Sequence, residues 1–247
     1  MFLSVRHRIL FVHVAKTGGT SIRSALGRLR WTDPYSIPLY IGNHIARATK
    51  YRTPCKLHRH ARAATARDML GAGFFGELFK FAFVRNPWDL QVSSWLHIGR
   101  MKHRPLGWGM TFEDFLHTRF DRNRPPSHSI DVINAPQTHY LSDFEGNLLV
   151  DFVGRFESLA ADFGEVTKRA GLPSLRLGHR LKAPGRHDYR SYYTDELAEF
   201  VASWHQEDID RFGYTFDGPA EVAEDRTHSQ ADSEPPPPSS DQSKAET

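Results

Sequence analysis

The chain has 247 residues, 39% of them hydrophobic, one cysteine and a formal net charge of +3. That is enough apolar material for one α/β domain. Cys55 alone cannot form an internal disulfide, and no run reaches the ~18 apolar residues of a membrane span, so a disulfide-stapled peptide and an integral membrane helix are both excluded.

A reducing, cytoplasmic setting is the simple expectation. The charge is uneven: from Asp217 onward eight acids face two bases (Arg226, Lys244), a net of −6, and the rest holds 30 bases against 21 acids, a net of +9. A body this basic expects an anionic ligand, with solubility as the plain alternative.

The opening MFLSVRHRILFVHV is interrupted by Arg6, His7 and Arg8 and lacks a small-residue cleavage site, so it reads as a buried strand centred on Arg8–Val14, not a signal peptide. Ile22, Leu26 and Leu29 then recur at helical spacing. His60 heads a predicted helix to Leu70. Phe79–Val84 is a second central strand; like the first it is short, rich in Val and Phe and nearly continuous, as strands covered on both faces are. A largely apolar helix follows from Pro87 to His97. Thr111 starts another, with Glu113 and Asp114 in its first turn.

Leu141–Val153 reads as a hairpin around Glu145-Gly146-Asn147. Leu159, Phe163, Val166 and Ala170 mark a helix stopped by Gly171, and Leu197, Val201 and Trp204 lie on one face of a last long helix ending near Phe212. Strands alternating with helices predict an α/β fold with a mostly parallel central sheet in three layers. The domain covers residues 1–216. Residues 217–247, with Pro235–Pro238 and Ser-rich flanks, cannot bury enough surface to offset their ordering entropy and are expected to be disordered.

The most informative stretch is Val14-Ala15-Lys16-Thr17-Gly18-Gly19-Thr20-Ser21-Ile22. A buried strand runs into two glycines and then hydroxyl residues at a helix start. Glycines let backbone approach a ligand, and a helix N-terminus presents unpaired N–H groups to an anion, so this reads as a phosphate cradle with Lys16 adding a full charge. It is not a Walker A loop, whose lysine follows the second glycine. An ordinary glycine turn would look the same on these residues alone.

The second constellation is Arg85-Asn86-Pro87-Trp88 at the end of the second strand, with Ser93 two helical turns on. Ligands of open α/β sheets gather at the carboxyl ends of strands, so Arg85 and Lys16 are expected at one crevice, and Arg85 with Ser93 suits a second phosphate. Alternatively, Arg85 pairs with Asp89 at the helix start.

KTGGTS after a buried strand, then FKFAFVRNPW with a serine eight residues past the arginine, resembles the PAPS-dependent sulfotransferases. The likeness is above all to the Golgi-type carbohydrate sulfotransferases and their soluble bacterial relatives. It runs from about Ile9 to Phe216 and includes Asp151–Glu157, Tyr189–Tyr193, Asp195–Leu197, Glu207-Asp208 and Phe212–Tyr214. The resemblance implies a P-loop-like sulfotransferase fold and sulfuryl transfer from 3′-phosphoadenosine 5′-phosphosulfate (PAPS) to a hydroxyl, with a carbohydrate as the expected acceptor and no metal. It assigns Lys16, Thr17, Gly18, Gly19, Thr20 and Ser21 to the 5′-phosphosulfate, and Arg85 and Ser93 to the 3′-phosphate. Two departures stand out. Leu90 and Gln91 follow Asp89 where a basic residue is common, and His179–His187 lacks the expected asparagine, although Arg180, Lys182 and Arg186 could close over the nucleotide.

Transfer to a hydroxyl also needs a base. Among fourteen histidines, His60 lies in a Pro34–Arg67 segment with seven Lys or Arg and no acid, and matches the position of a family histidine proposed as catalytic base. A helix-start or phosphate contact is the alternative role, and His58 is the runner-up base. His13, inside the first strand, is expected to be a satisfied core histidine, and Arg155 with Glu157 either a structural pair or a substrate contact. The basic segment could serve as a platform for an acidic glycan. No RNA- or DNA-binding motif accompanies it, so nucleic acid is not an expected partner. The rival functions are a nucleotide kinase, for which the Walker lysine is missing, and a non-catalytic nucleotide- or polyanion-binding module.

Overall fold

Strand formation follows the two apolar runs, with one correction at the N-terminus. In the computed structural model, residues 1–35, 57–100, 109–124, 134–178 and 187–219 are described, together with Pro38, Ile41, Pro126, Asp131 and Val132. Cys55, His44, the 179–186 segment with Arg180, Lys182 and Arg186, and the tail from residue 220 lie outside them.

The opening is a hairpin, not one continuous strand. β1 (Phe2–Ser4) pairs antiparallel with β2 (Ile9–Val12), Phe2 opposite Phe11. The polar Arg6-His7-Arg8 triplet cannot enter the sheet interior and forms the turn instead, with Arg8 in the left-handed region (φ 49°). Ser4 Oγ donates to Asp33 Oδ2 at 2.6 Å and pins the hairpin to the chain beyond the first helix.

β3 (Phe79–Val84) runs parallel to β2, and β4 (Phe152–Arg155) parallel to β3, giving the order β1-β2-β3-β4. Successive residues point to opposite faces, so each strand feeds two cores. Ile9, Phe11, Phe81 and Phe83 pack with Ile22 and Leu26 of α1 (Gly19–Leu26). Leu10, Val12, Ala82 and Val84 pack with the helices of the other layer: α2 (Ala63–Leu70), α3 (Ala72–Gly76), α4 (Pro87–Ile98), α5 (Phe112–Phe120) and α6 (Gln137–Leu141). α7 (Leu159–Arg169) joins α1 through Phe163 and Val166. The mostly parallel α/β sheet covered on both faces is therefore present.

Helix starts are chemically specified. Pro87 opens α4, where Asn86 Oδ1 accepts from the amides of Trp88 (3.0 Å) and Asp89 (3.3 Å). Thr111 and Asp114 form a capping box on α5.

Three boundaries differ from expectation. α2 begins at Ala63, leaving His60 in the preceding turn. The Glu145-Gly146-Asn147 turn exists, closed by an Asp143 N–H to Asn147 carbonyl bond of 3.0 Å, but its second arm runs on into β4 of the central sheet. The last helix breaks into α8 (Asp195–Trp204) and α9 (Gln206–Phe212). His205 at the break leaves helical geometry (φ −117°, ψ 20°) because its ring turns into the core, between Asp208 and Gln91. Beyond α9, β5 (Tyr214–Thr215) pairs with β6 (Gly218–Pro219).

Candidate active site

β2 ends where the cradle begins. Thr17 is fully buried and its hydroxyl donates to the Val14 carbonyl (3.0 Å), so that group closes the turn. Gly18 is left-handed (φ 80°), and a Cβ there would lie 2.8 Å from Leu159 Cδ2. A Cβ on Gly19 would fall 1.9 Å from His13 Nε2. The first glycine is thus required by conformation and the second by the histidine ring beside it. Half-buried Lys16 is itself left-handed (φ 64°), a strained state for a residue with a side chain. Thr20 is exposed and Ser21 buried, and Ser21 N–H bonds the Gly18 carbonyl at 3.0 Å.

Arg85 stands at the end of β3, 3% exposed. Its Nε donates to Asp89 Oδ2 at 2.7 Å, so the helix-start pair forms. Nη2 lies 2.7 Å from the same oxygen, so Asp89 holds this edge of the guanidinium as a buried ion pair. Burial lowers the guanidinium to about 10, against the pull of Glu157, so it stays charged at neutral pH. Nη1 reaches across to the Lys16 carbonyl at 3.0 Å. The two sequence motifs, 69 residues apart, meet in that bond.

On α4, Ser93 is half-buried, whereas the neighbouring Ser94 is buried with its hydroxyl on the Leu90 carbonyl (2.7 Å). His97 lies one turn beyond Ser93. Burial lowers its pKa and the charge of Lys16 lowers it further, which places this face of α4 within electrostatic reach of Lys16.

His60 Nδ1 is 3.0 Å from the His13 carbonyl, and the two rings are 4.5 Å apart. A carbonyl can only accept, so Nδ1 carries the hydrogen and Nε2 the lone pair. Burial lowers His60 to about 4; the bond to His13 opposes this, and the N-terminal amine, Arg59 and Arg23 add to it. His60 is therefore neutral at pH 7. His58 is exposed, and its carbonyl accepts from the Met1 amine at 3.4 Å.

His13 is buried, but it is not satisfied: Nδ1 has no hydrogen-bond partner among the described residues, and burial first, then His60, pushes it to about 2. Arg155 and Glu157 both meet Tyr214. Glu157 accepts from Asn86 N–H (2.7 Å) and the Tyr214 hydroxyl (3.1 Å), while Arg155 lies 4.8 Å over the Tyr214 ring.

Behind the site, Asp208 of the Glu207-Asp208 match joins a hydrogen-bond network through Gln137, which no motif marks. Gln137 accepts from Arg85 N–H (2.8 Å) and donates to the Arg85 carbonyl (2.7 Å), taking the place of a strand neighbour. Asp208, fully buried, accepts from the amides of Gln137 and Thr138, both at 2.8 Å. No signal for Gln137 exists in the sequence. His97, at helical spacing from Ser93, was findable.

Residues 1–215 match the model of the Sulfotransferase family. The chain belongs to the sulfotransferase family. An uncharacterized protein of Archaeoglobus fulgidus is similar to this sulfotransferase, 30% identical over 125 residues, which are 50% of this chain and 92% of the relative. No solved structure matches it. Among the described residues of this sulfotransferase no helix is long and apolar enough to cross a membrane.

Proposed function

We propose that this sulfotransferase moves a sulfuryl group from PAPS to a carbohydrate hydroxyl. The observation that carries the reading is the Arg85 Nη1 bond to the Lys16 carbonyl (3.0 Å), which joins the Lys16 loop after β2 to the arginine at the end of β3. In this reading Lys16, Thr17, Gly18, Gly19, Thr20 and Ser21 hold the 5′-phosphosulfate, with Thr17 contributing backbone, and Arg85 and Ser93 take the 3′-phosphate.

His60 Nε2 accepts the acceptor's hydroxyl proton as the oxygen bonds to sulfur. The bridging bond from sulfur to the 5′-phosphate oxygen breaks, and PAP leaves. Lys16 and the amides at the start of α1 stabilise the charge that grows on that oxygen. A base lowered to about 4 is weak alone; the bound nucleotide's negative charge raises it toward neutrality. The carbohydrate acceptor rests on the motif resemblance and on the basic body of the chain.

The test is transfer of radiolabelled sulfate from PAPS to a panel of glycans, phenols and lipids, beside calorimetry with PAP and AMP. Transfer to a glycan and tighter binding of PAP than AMP are expected. PAP binding without transfer to any acceptor would make the protein a binding module, and equal affinity for PAP and AMP would remove the 3′-phosphate site.

A further inference from the structure

Arg85 has more contacts than a 3′-phosphate ligand needs. Its backbone is clamped on both sides by Gln137, at 2.8 and 2.7 Å, so its Cα is fixed. Its Nε edge is held by Asp89 at 2.7 Å, and the guanidinium lies 3.9 Å over the Phe156 ring. A planar fork fixed along one edge and one face has its remaining edge aimed. That edge, through Nη1, meets the Lys16 carbonyl.

Lys16 is left-handed (φ 64°), a conformation that a residue with a side chain keeps only where its surroundings enforce it. Its carbonyl shares one rigid peptide plane with the Thr17 N–H, and the two point in opposite directions. Holding the carbonyl on Arg85 therefore directs the Thr17 N–H away from Arg85. Phe156, beneath the guanidinium, also walls Gly18: its Cδ2 would lie 3.3 Å from a Cβ there.

We infer that Arg85 is a positioning residue for the Lys16–Ser21 loop, a strut that sets the 5′ cradle from the 3′ side of the site. Its binding arm rests on the donor reading above; its exchange arm does not.

The test uses the full chain and the variants Arg85→Lys and Arg85→Gln. Arg85→Lys keeps the cation but not the fork. Ligand-free amide hydrogen exchange over residues 13–22 is compared with wild type, and AMP, which has no 3′-phosphate, is titrated by calorimetry. Exchange in this segment about tenfold faster, with cooperative unfolding retained, is the expected result. AMP affinity should fall about fivefold or more in Arg85→Lys, an effect that loss of a 3′-phosphate contact alone could not give. Wild-type exchange in the loop together with wild-type AMP affinity would overturn the strut. Should Arg85→Gln fail to fold, Arg85→Lys alone decides. If wild type binds PAP no more tightly than AMP, the donor reading fails, while loop exchange still decides the strut.

Discussion

His60 is a neutral imidazole with its hydrogen fixed on Nδ1 by the His13 carbonyl. As the proposed base it would touch the acceptor, not the nucleotide. Single-turnover transfer by His60→Ala should therefore drop by about 10²–10⁴ while PAP affinity by calorimetry stays near wild type. A normal rate would send the search to His58. The same two histidines make stability pH-dependent. In the unfolded chain each takes a proton near 6.5; in the folded protein His60 resists until about 4 and His13 until about 2. The unfolded state thus binds more protons in between, so stability is full above 6.5 and falls as the pH drops toward 4. Urea unfolding at pH 7 and pH 5 should show the loss, and His13→Asn should reduce it.

At the level of elements, the start of α1 depends on a contact between neighbours in space. A methyl on Gly19 would collide with the His13 ring. Gly19→Ala should cost about 1–3 kcal/mol by overpacking, and the cost should shrink in a His13→Ala background. Additive losses in thermal unfolding of the double variant would show that the ring moves aside freely. The same contact explains what could be read in advance. KTGGTS reveals a tight strand-to-helix turn because its glycines are local in sequence, and Phe79–Val84 reveals a strand because both of its faces are apolar. The break at His205 was hidden, since a continuous apolar stripe crosses it and the cause, Gln91, lies 114 residues away. The turn at Arg6-His7-Arg8 is marked by its charges, but three charged or polar residues alone do not distinguish a turn from an interruption within one strand.

Across the whole molecule, the C-terminal end of the body is knitted to the layer that carries the site. The Phe216 ring meets Trp88, Tyr189 and Tyr193 edge-on at 5.6, 5.9 and 5.5 Å. A chain ending at Thr215 should lose about 2 kcal/mol, roughly 4–8 °C in melting temperature at this size. A chain ending at Pro219 should melt like the full protein, as the tail's composition implies. Equal melting of both would deny Phe216 its role. The two motifs that meet at the Arg85–Lys16 bond were legible in the chain; Gln137, which clamps Arg85 across 52 residues, leaves no pattern there, and the Glu207-Asp208 match gave no sign of the amides Asp208 takes from about 70 residues away. The left-handed Lys16 has an evolutionary consequence. Glycine would relieve about 1–2 kcal/mol there, so selection for heat resistance alone would discard the lysine, and variants recovered that way would be tougher proteins with a crippled cradle. On the proposed reading, the lysine stays because charge there outweighs durability.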